Sequence, residues 1–477
     1  MGFTTTGQAR GALTRWQVTG VCLVMFLEGL SSSSINVQVA AVRADLDPGP
    51  VGLQLVAATF LVVYAALLLP AGRLADWWDR RTVFLAGLAL FAMGSVAGTV
   101  AATVPVLVLA RFLQGAGAAL TAPAALALIT AALPAGAARN RMVALYGALG
   151  AVGFSAGLVL PGFLVAQHGW RSSFAVLLPF IVLVLLLTWR IPPSPALSPE
   201  GSCRRPDWWG SAALLGLIGG STWLLGAARE LSTSTLVVAV LALGGLAAVV
   251  LARREATLPG RVLVVPVRVA MVTLATAFAG VLASIYLLTL ALQDWHHLDA
   301  FRVGLLILPQ PACFALLARV GSRWVNRLGP LPPLLTGMVL ISAAIWSLAA
   351  IGSAPPSLLL VLGAMAAIGT GLALVYPAAS ILAVNAVPEH LRATTSAALT
   401  TAQNVGGSCG LAVVTALALV PQRGPAGSLA VPMAVSSLLV LVGLATVVAL
   451  TTRSHGAARA TRTGRSGPEG DRTPDGW

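Results

Sequence analysis

The sequence predicts an all-α polytopic membrane protein, and three observations carry that prediction. Apolar residues make up 57% of the 477-residue chain and charged residues only 9%, whereas soluble domains carry about 25% charged residues. The apolar residues are gathered into runs of roughly 20, the length at which a helix crosses about 30 Å of hydrocarbon. The charges between runs sit in short segments and are distributed one-sidedly. Inside a bilayer every backbone N–H and C=O must find a partner, and runs of this length satisfy that condition as helices.

Fourteen apolar segments are read, near 17–40, 52–71, 82–103, 105–129, 142–166, 172–190, 208–228, 233–252, 270–292, 302–320, 331–351, 357–381, 396–420 and 430–451. All 29 basic residues are arginine. With the N-terminus in the cytoplasm and alternating crossings, 23 arginines fall on the cytoplasmic side, five fall outside, and Arg111 remains within an apolar run. Positive charge on short loops sets orientation, so both termini are expected inside. The same distribution assigns the +14 net charge to topology and excludes a nucleic-acid partner. Tryptophans such as Trp16, Trp78, Trp189 and Trp209 fall at segment ends, as interfacial belts require. The first run is too long for a cleaved signal sequence and reads as a retained first helix. Four cysteines without pairing or metal spacing point to neither a disulfide framework nor a metal site.

The segments group as six, two and six. A cytoplasmic N-terminal tail covers 1–16 and a first six-helix bundle 17–190. A linker with two additional helices covers 191–267, and a second six-helix bundle 268–451. A polar, disordered tail covers 452–477, its arginines near anionic lipid. Two related halves around a midplane site is the plan of secondary transporters.

The stretch Gly72 to Arg81, GRLADWWDRR, places five charges (Arg73, Asp76, Asp79, Arg80 and Arg81) between two membrane-spanning runs. Its spacing, with Gly72, Leu74, Ala75, Asp76, Arg80 and Arg81 in register, resembles the helix 2–3 loop of the major facilitator superfamily. It departs at Asp79, where the family has a second glycine, and at Trp77, where it has a basic residue. A degenerate copy, Ser322 to Pro330, stands between the tenth and eleventh segments. The count of 14 resembles the drug:proton antiporter branch. The resemblance covers nearly all of 17–451 and implies a major facilitator fold with two six-helix bundles plus two extra helices. It also implies a monomer that exports a small organic molecule against inward protons across the cell membrane, with no cofactor and no enzymatic reaction.

The segment 17–40 contains Glu28, the one acid well inside any apolar run. A carboxylate at mid-membrane costs about 2.5–3.5 kcal/mol on insertion scales, which suits a group that takes up and releases a proton near neutral pH. The family carries its helix 1 acid at the position of Ser31, one turn later, and Ile35-Asn36-Val37 fit its pattern. Arg111, Gln114, Gly115 and Gly117 closely resemble the family's R-x-x-Q-G-x-G signature in helix 4. An intramembrane arginine keeps its charge and must be partnered or hydrated. Glu28 and Arg111 are therefore read as the proton-coupling pair, Glu28 holding or releasing its proton according to its contact with Arg111. The alternatives are that Glu28 only satisfies Arg111 and that Arg111 only binds backbone carbonyls.

In the fifth segment Gly153, Gly157 and Gly162 fit the antiporter signature, while Leu158 stands at its proline and Pro161 at its first paired glycine. Small residues four apart let helix backbones touch, so these four positions are expected to pack helices. Asn36, Gln114, Tyr286, Gln310, Tyr376, Gln403 and Asn404 are candidate substrate-cavity residues, with ordinary helix–helix hydrogen bonding as the alternative. Gly72, Asp76, Arg80 and Arg81 are read as a conformational latch, Asp76 accepting hydrogen bonds at a neighbouring helix N-terminus, or else as a solvated topology loop. No phosphate loop of the G-x-x-x-x-G-K type exists in a chain without lysine, so an ion gradient must supply the energy. A dedicated metabolite exporter, a symporter and a non-transporting receptor or scaffold stay open.

Overall fold

The computed structural model describes residues 13–132, 137–193, 207–227, 241–245, 247, 250, 262–349, 357–388, 391–418 and 430–463. Among these residues the chain is helical throughout. The helices are α1 (Arg15–Leu46), α2 (Gly49–Trp77), α3 (Arg80–Thr99), α4 (Val104–Ala132), α5 (Ala137–His168), α6 (Ser172–Ala175), α7 (Leu177–Thr188) and α8 (Trp208–Ala227). There follow α9 (Val265–Leu290), a five-residue π turn (Ala291–Trp295), α10 (Ala300–Ile307), α11 (Pro309–Leu328), α12 (Leu331–Leu348), α13 (Leu358–Val384), α14 (Arg392–Ala418) and α15 (Ala430–Thr463). Ten described spans are long and apolar enough to cross a membrane. The chain is a multi-pass membrane protein.

Thirteen of the 14 expected segments coincide with helix, and the remaining one, 233–252, lies mostly outside the described residues. Two expected segments are broken. The 172–190 segment splits into α6 and α7, and 302–320 splits into α10 and α11 where Pro309, without an N–H, starts a new helix. The span expected to end at 451 ends at Thr452, and α15 continues beyond it to Thr463. Ala457, Ala458 and Ala460 there are strong helix formers. Residues 464–477 of the expected tail and residues 1–12 lie outside the described residues.

Chain direction alternates, and it gathers the charge. Arg15, Arg80, Arg81, Arg190, Arg268 and Arg327 come to the end at which α1 starts, while Arg43, Arg171 and Arg302 come to the opposite end. Helices α1 to α7 form one packed group and α9 to α15 another. The groups meet through α2 against α14, α5 against α10 and α11, and α1 against α9. Helix α8 packs on α2 and α14, at the seam.

The two groups repeat one another at the level of single glycines. In α4, Gly115 faces the Phe60 carbonyl of α2 and Gly117 the Gly87 carbonyl of α3. In α13, Gly369 faces the Gln310 carbonyl of α11 and Gly371 the Gly337 carbonyl of α12. Pro123 and Pro377 follow at the same spacing. In α5, Gly153 and Gly157 face the Phe26 and Leu30 backbones of α1; in α14, Gly406 and Gly410 face Ala275 and Ala279 of α9. Superposing these contacts puts Ala277 where the first half has Glu28, and Met365 where it has Arg111. Glu28 and Arg111 thus have no charged counterparts at the matching positions of the second half.

These contacts are close enough to test. A Cβ on Gly153 would meet the Phe26 backbone, whereas one on Gly147 meets nothing within 4 Å. Gly153→Ala is expected to cost about 1–3 kcal/mol by overpacking, and Gly147→Ala to be neutral or stabilising. Thermal melting in detergent checks the pair.

Candidate functional site

Helix α1 brings Glu28 into the first half with its carboxyl buried. Thr121 of α4 donates its hydroxyl to Glu28 Oε1 at 2.9 Å, and the Tyr64 hydroxyl of α2 is a second partner. Tyr146 of α5 stands beside this pair, its own hydroxyl donating to the Ala122 carbonyl at 3.0 Å. Arg111 does not touch Glu28. Its Nη1 donates to the Ser31 carbonyl (3.3 Å), to Ser31 Oγ (3.3 Å) and to Gln114 Oε1 (3.1 Å), and the guanidinium lies 4.8 Å from the Phe60 ring centroid. The expected ion pair is therefore absent from this conformation. Arg111 donates to Ser31, the residue at the family acid's position, and Glu28 lies one turn before it on α1. Along α4, Thr121 and Gln114 are seven residues apart, about 10 Å at 1.5 Å per residue, so the two charges are separated by roughly that distance.

Gln114 was expected to line the substrate cavity, and it does not reach the cavity wall in this conformation. Both ends of its amide are engaged, Oε1 by Arg111 and Ser31 and Nε2 by donation to Ser95 Oγ at 3.1 Å, and it is fully buried. Gln114 orients Arg111. Asn36 and Tyr286 do line a cavity, together with Ser32, Ile35, Ala57, Leu61, Arg111 and Leu411. This cavity lies between the halves and encloses about 30 Å³, space for a water or two. Organic ligands occupy about 300 Å³ or more, so loading one requires the halves to part. Glu28 shares the α1 stripe of Ser32, Ile35, Asn36 and Val39, spaced at four, seven, eight and eleven residues.

The other expected cavity residues spread out. Gln310 is buried at the start of α11 with its backbone against Gly369. Tyr376 stacks edge-on to Phe314 at 6.0 Å. Asn404 donates to the Thr400 carbonyl at 2.8 Å and lies on the Leu411 stripe of α14. Gln403 lies on the stripe of Gly406 and Gly410 that packs against α9. These four do not reach the cavity wall in this conformation. Gln293, in the π turn, donates to the Val37 carbonyl of the first half at 3.1 Å. It seals the arginine-poor end together with Gly162 against Ala300, Gly304 against Leu158, and Phe163 against Phe301. Pro161 sits within α5 one residue before that contact.

In the helix 2–3 loop, Gly72 lies 3.8 Å from Pro123 of α4, measured from an added Cβ. Asp79, at the family glycine position, caps α3, its Oδ2 accepting from Thr82 N at 3.0 Å. Arg80 donates to the Ala127 carbonyl near the end of α4 (3.4 Å), and Arg81 to the Trp189 carbonyl after α7 (2.8 Å). Cations at helix C-termini are favourable. Both contacts stay within the first half. The side chain of Asp76 lies outside the described residues. Asp299 caps α10 and pairs with Arg302 at 3.3 Å, and no metal-holding cluster occurs among the described residues.

Sequence reasoning missed Tyr64, Tyr146 and Thr121. The chain has only four tyrosines, and finding three of them in mid-run positions was the available signal.

The profile of the Major Facilitator Superfamily matches residues 21–411. The multidrug resistance protein Stp of Mycobacterium tuberculosis (strain ATCC 25618 / H37Rv) is 30% identical over 403 residues, covering 82% of this chain and 73% of that one. The tetracenomycin C resistance and export protein of Streptomyces glaucescens is 29% identical over 419 residues, covering 83% and 74%. Among solved structures, the inward-open xylose transporter XylE from E. coli aligns with a TM-score of 0.63 at 16% identity, over 90% of this chain and 94% of that one. That likeness concerns the fold.

Proposed function

We propose that this chain, which belongs to the Major Facilitator Superfamily, exports small organic molecules such as drugs or antibiotics by proton antiport and alternating access. One observation carries the coupling: a single carboxyl, Glu28, is buried on the helix stripe that also lines the inter-half cavity. The relatives, named for multidrug and antibiotic resistance and export, support the class of cargo. In this reading the protein is a monomer in the cell membrane with both termini cytoplasmic, an orientation the arginine asymmetry supports. Fourteen crossings arise from halves 17–190 and 268–451 and two linker helices in 191–267.

In the cycle, Glu28 takes a proton from outside, and its release inside accompanies substrate loading. Arg111, held by Ser31 and Gln114, keeps a fixed positive charge in the cavity wall. Arg80 and Arg81, tied to the ends of α4 and α7, brace the cytoplasmic end of the first half so that it moves as one body.

Proteoliposomes test the proposal. With an imposed pH gradient, addition of substrates from a panel of lipophilic cations and neutral antibiotics, with puromycin and tetracenomycin C among them, is expected to dissipate the gradient. A panel in which every compound equilibrates without moving protons overturns antiport. Response to one compound alone identifies a dedicated exporter.

A further inference from the structure

The cavity between the halves carries a full charge in its wall, and that charge is positive. Arg111 lines the cavity, and no acidic side chain stands among the described residues of the wall. Its other polar groups, Ser32, Asn36 and Tyr286, are neutral, and apolar residues such as Leu61 of α2 and Leu282 of α9 complete it. Arg111 spends Nη1 on Ser31 and Gln114. Its Nε–H, in contrast, is buried and meets no protein acceptor. Buried donors are nearly always partnered, and a donor left without an acceptor is costly. Oxygen atoms on a cargo entering between the parted halves would supply acceptors to this guanidinium.

Charge narrows the cargo further. Two positive charges about 10 Å apart, at an effective dielectric of about 20, lose roughly tenfold or more in affinity, and the loss grows as they approach. Glu28 does not line this wall. Its Oε1 accepts from Thr121, which lies roughly 10 Å along α4 from Gln114, so a Glu28 carboxylate offsets the repulsion at the wall only in part. A negatively charged cargo would suit Arg111, but it would favour the protonated form of Glu28 and oppose proton release on loading. A neutral cargo meets neither penalty.

We propose that the cargo is a neutral molecule with an apolar body and carbonyl or ether oxygens that hydrogen-bond the Arg111 guanidinium, and that the Arg111 charge excludes cations. This rests on the antiport reading above and adds the chemical class of what is exported.

The test uses three probes of one shape: anthraquinone, anthracene, which lacks the two carbonyls, and anthraquinone with a trimethylammoniomethyl group. Binding to detergent-purified full-length protein is followed by tryptophan quenching. Wild type is expected to bind anthraquinone about tenfold or more tighter than its cationic derivative, and tighter than anthracene. In Arg111→Gln the preference over the cation is expected to narrow to within about threefold, since the like charge is gone. A merely structural role for Arg111 would lower the melting temperature and leave the ratio in place. Wild type binding the cation as tightly as anthraquinone overturns the inference, and so does a ratio that Arg111→Gln leaves unchanged. Absence of anthraquinone binding to wild type overturns it too. Antiport stands or falls separately, by whether any compound of the proteoliposome panel moves protons.

Discussion

Glu28→Gln abolishes uphill export and leaves substrate exchange intact. A proton moving through 100 mV supplies about 2.3 kcal/mol, and a tenfold substrate gradient costs about 1.4 kcal/mol. One proton per neutral substrate thus sustains roughly a fiftyfold gradient. The amide cannot carry a proton through the cycle, so the variant equilibrates substrate to equal concentrations on both sides. Glutamine preserves the local contacts: its carbonyl oxygen accepts from Thr121 as Glu28 Oε1 does at 2.9 Å, and its amide can donate to the Tyr64 oxygen. Fold and cavity should survive, and counterflow of labelled substrate is expected near the wild-type rate. Vesicle uptake with and without a pH gradient checks both halves of this prediction. A scaffold without flux would show no difference in either.

Arg111→Gln is expected to separate transport from stability in the same way. Arg111 is 1% exposed and has no carboxylate partner among the described residues. Its hydrogen bonds to Ser31 and Gln114 offset a burial cost of about 2.5–3.5 kcal/mol for an intramembrane arginine. Replacing a buried charge by a neutral group removes that cost, and Ser31 and Gln114 can still bond each other, being 3.4 Å apart. Stability should therefore change by no more than about 1 kcal/mol. Transport should fall tenfold or more. At about 10 Å and an effective dielectric of about 20, the Arg111 charge acts on Glu28 with about 1.7 kcal/mol, roughly one pH unit, so the pH dependence of transport shifts by about that much. Arg111→Lys should not rescue, since an ammonium is more strongly hydrated than the guanidinium that lies buried against Phe60. Melting curves beside pH profiles decide the matter: a collapse in stability with an unmoved pH profile would make Arg111 structural.

The path from sequence to this site was legible wherever a one-dimensional pattern determines a physical outcome. Apolar run length gave the helices, and the arginine asymmetry gathers at one end of the bundle as topology demands. Gly153 and Gly157 signalled close helix contacts because a missing side chain has few other uses in a membrane helix. Partners were harder to read. A helical stripe says which residues share a face, not which neighbour that face meets, so Glu28 was set against Arg111 when Thr121 and Tyr64 stand there. Gln114 looked like a cavity residue for the same reason, its polarity being satisfied by Ser31 and Ser95 on other helices and by Arg111 one turn away on its own. The repeat was more legible than the loop copy at 322–330 indicated: Gly115, Gly117 and Pro123 recur at identical spacing as Gly369, Gly371 and Pro377. The same alignment puts Ala277 and Met365 opposite Glu28 and Arg111.

The most direct measurement is proton release on substrate addition to detergent-purified protein, wild type beside Glu28→Gln, with lipophilic cations and neutral antibiotics titrated in turn. Release of about one proton per bound substrate from wild type, and none from the variant while it still binds, is the predicted result. Binding without release from wild type, or equal release from both proteins, would contradict Glu28 as the carrier.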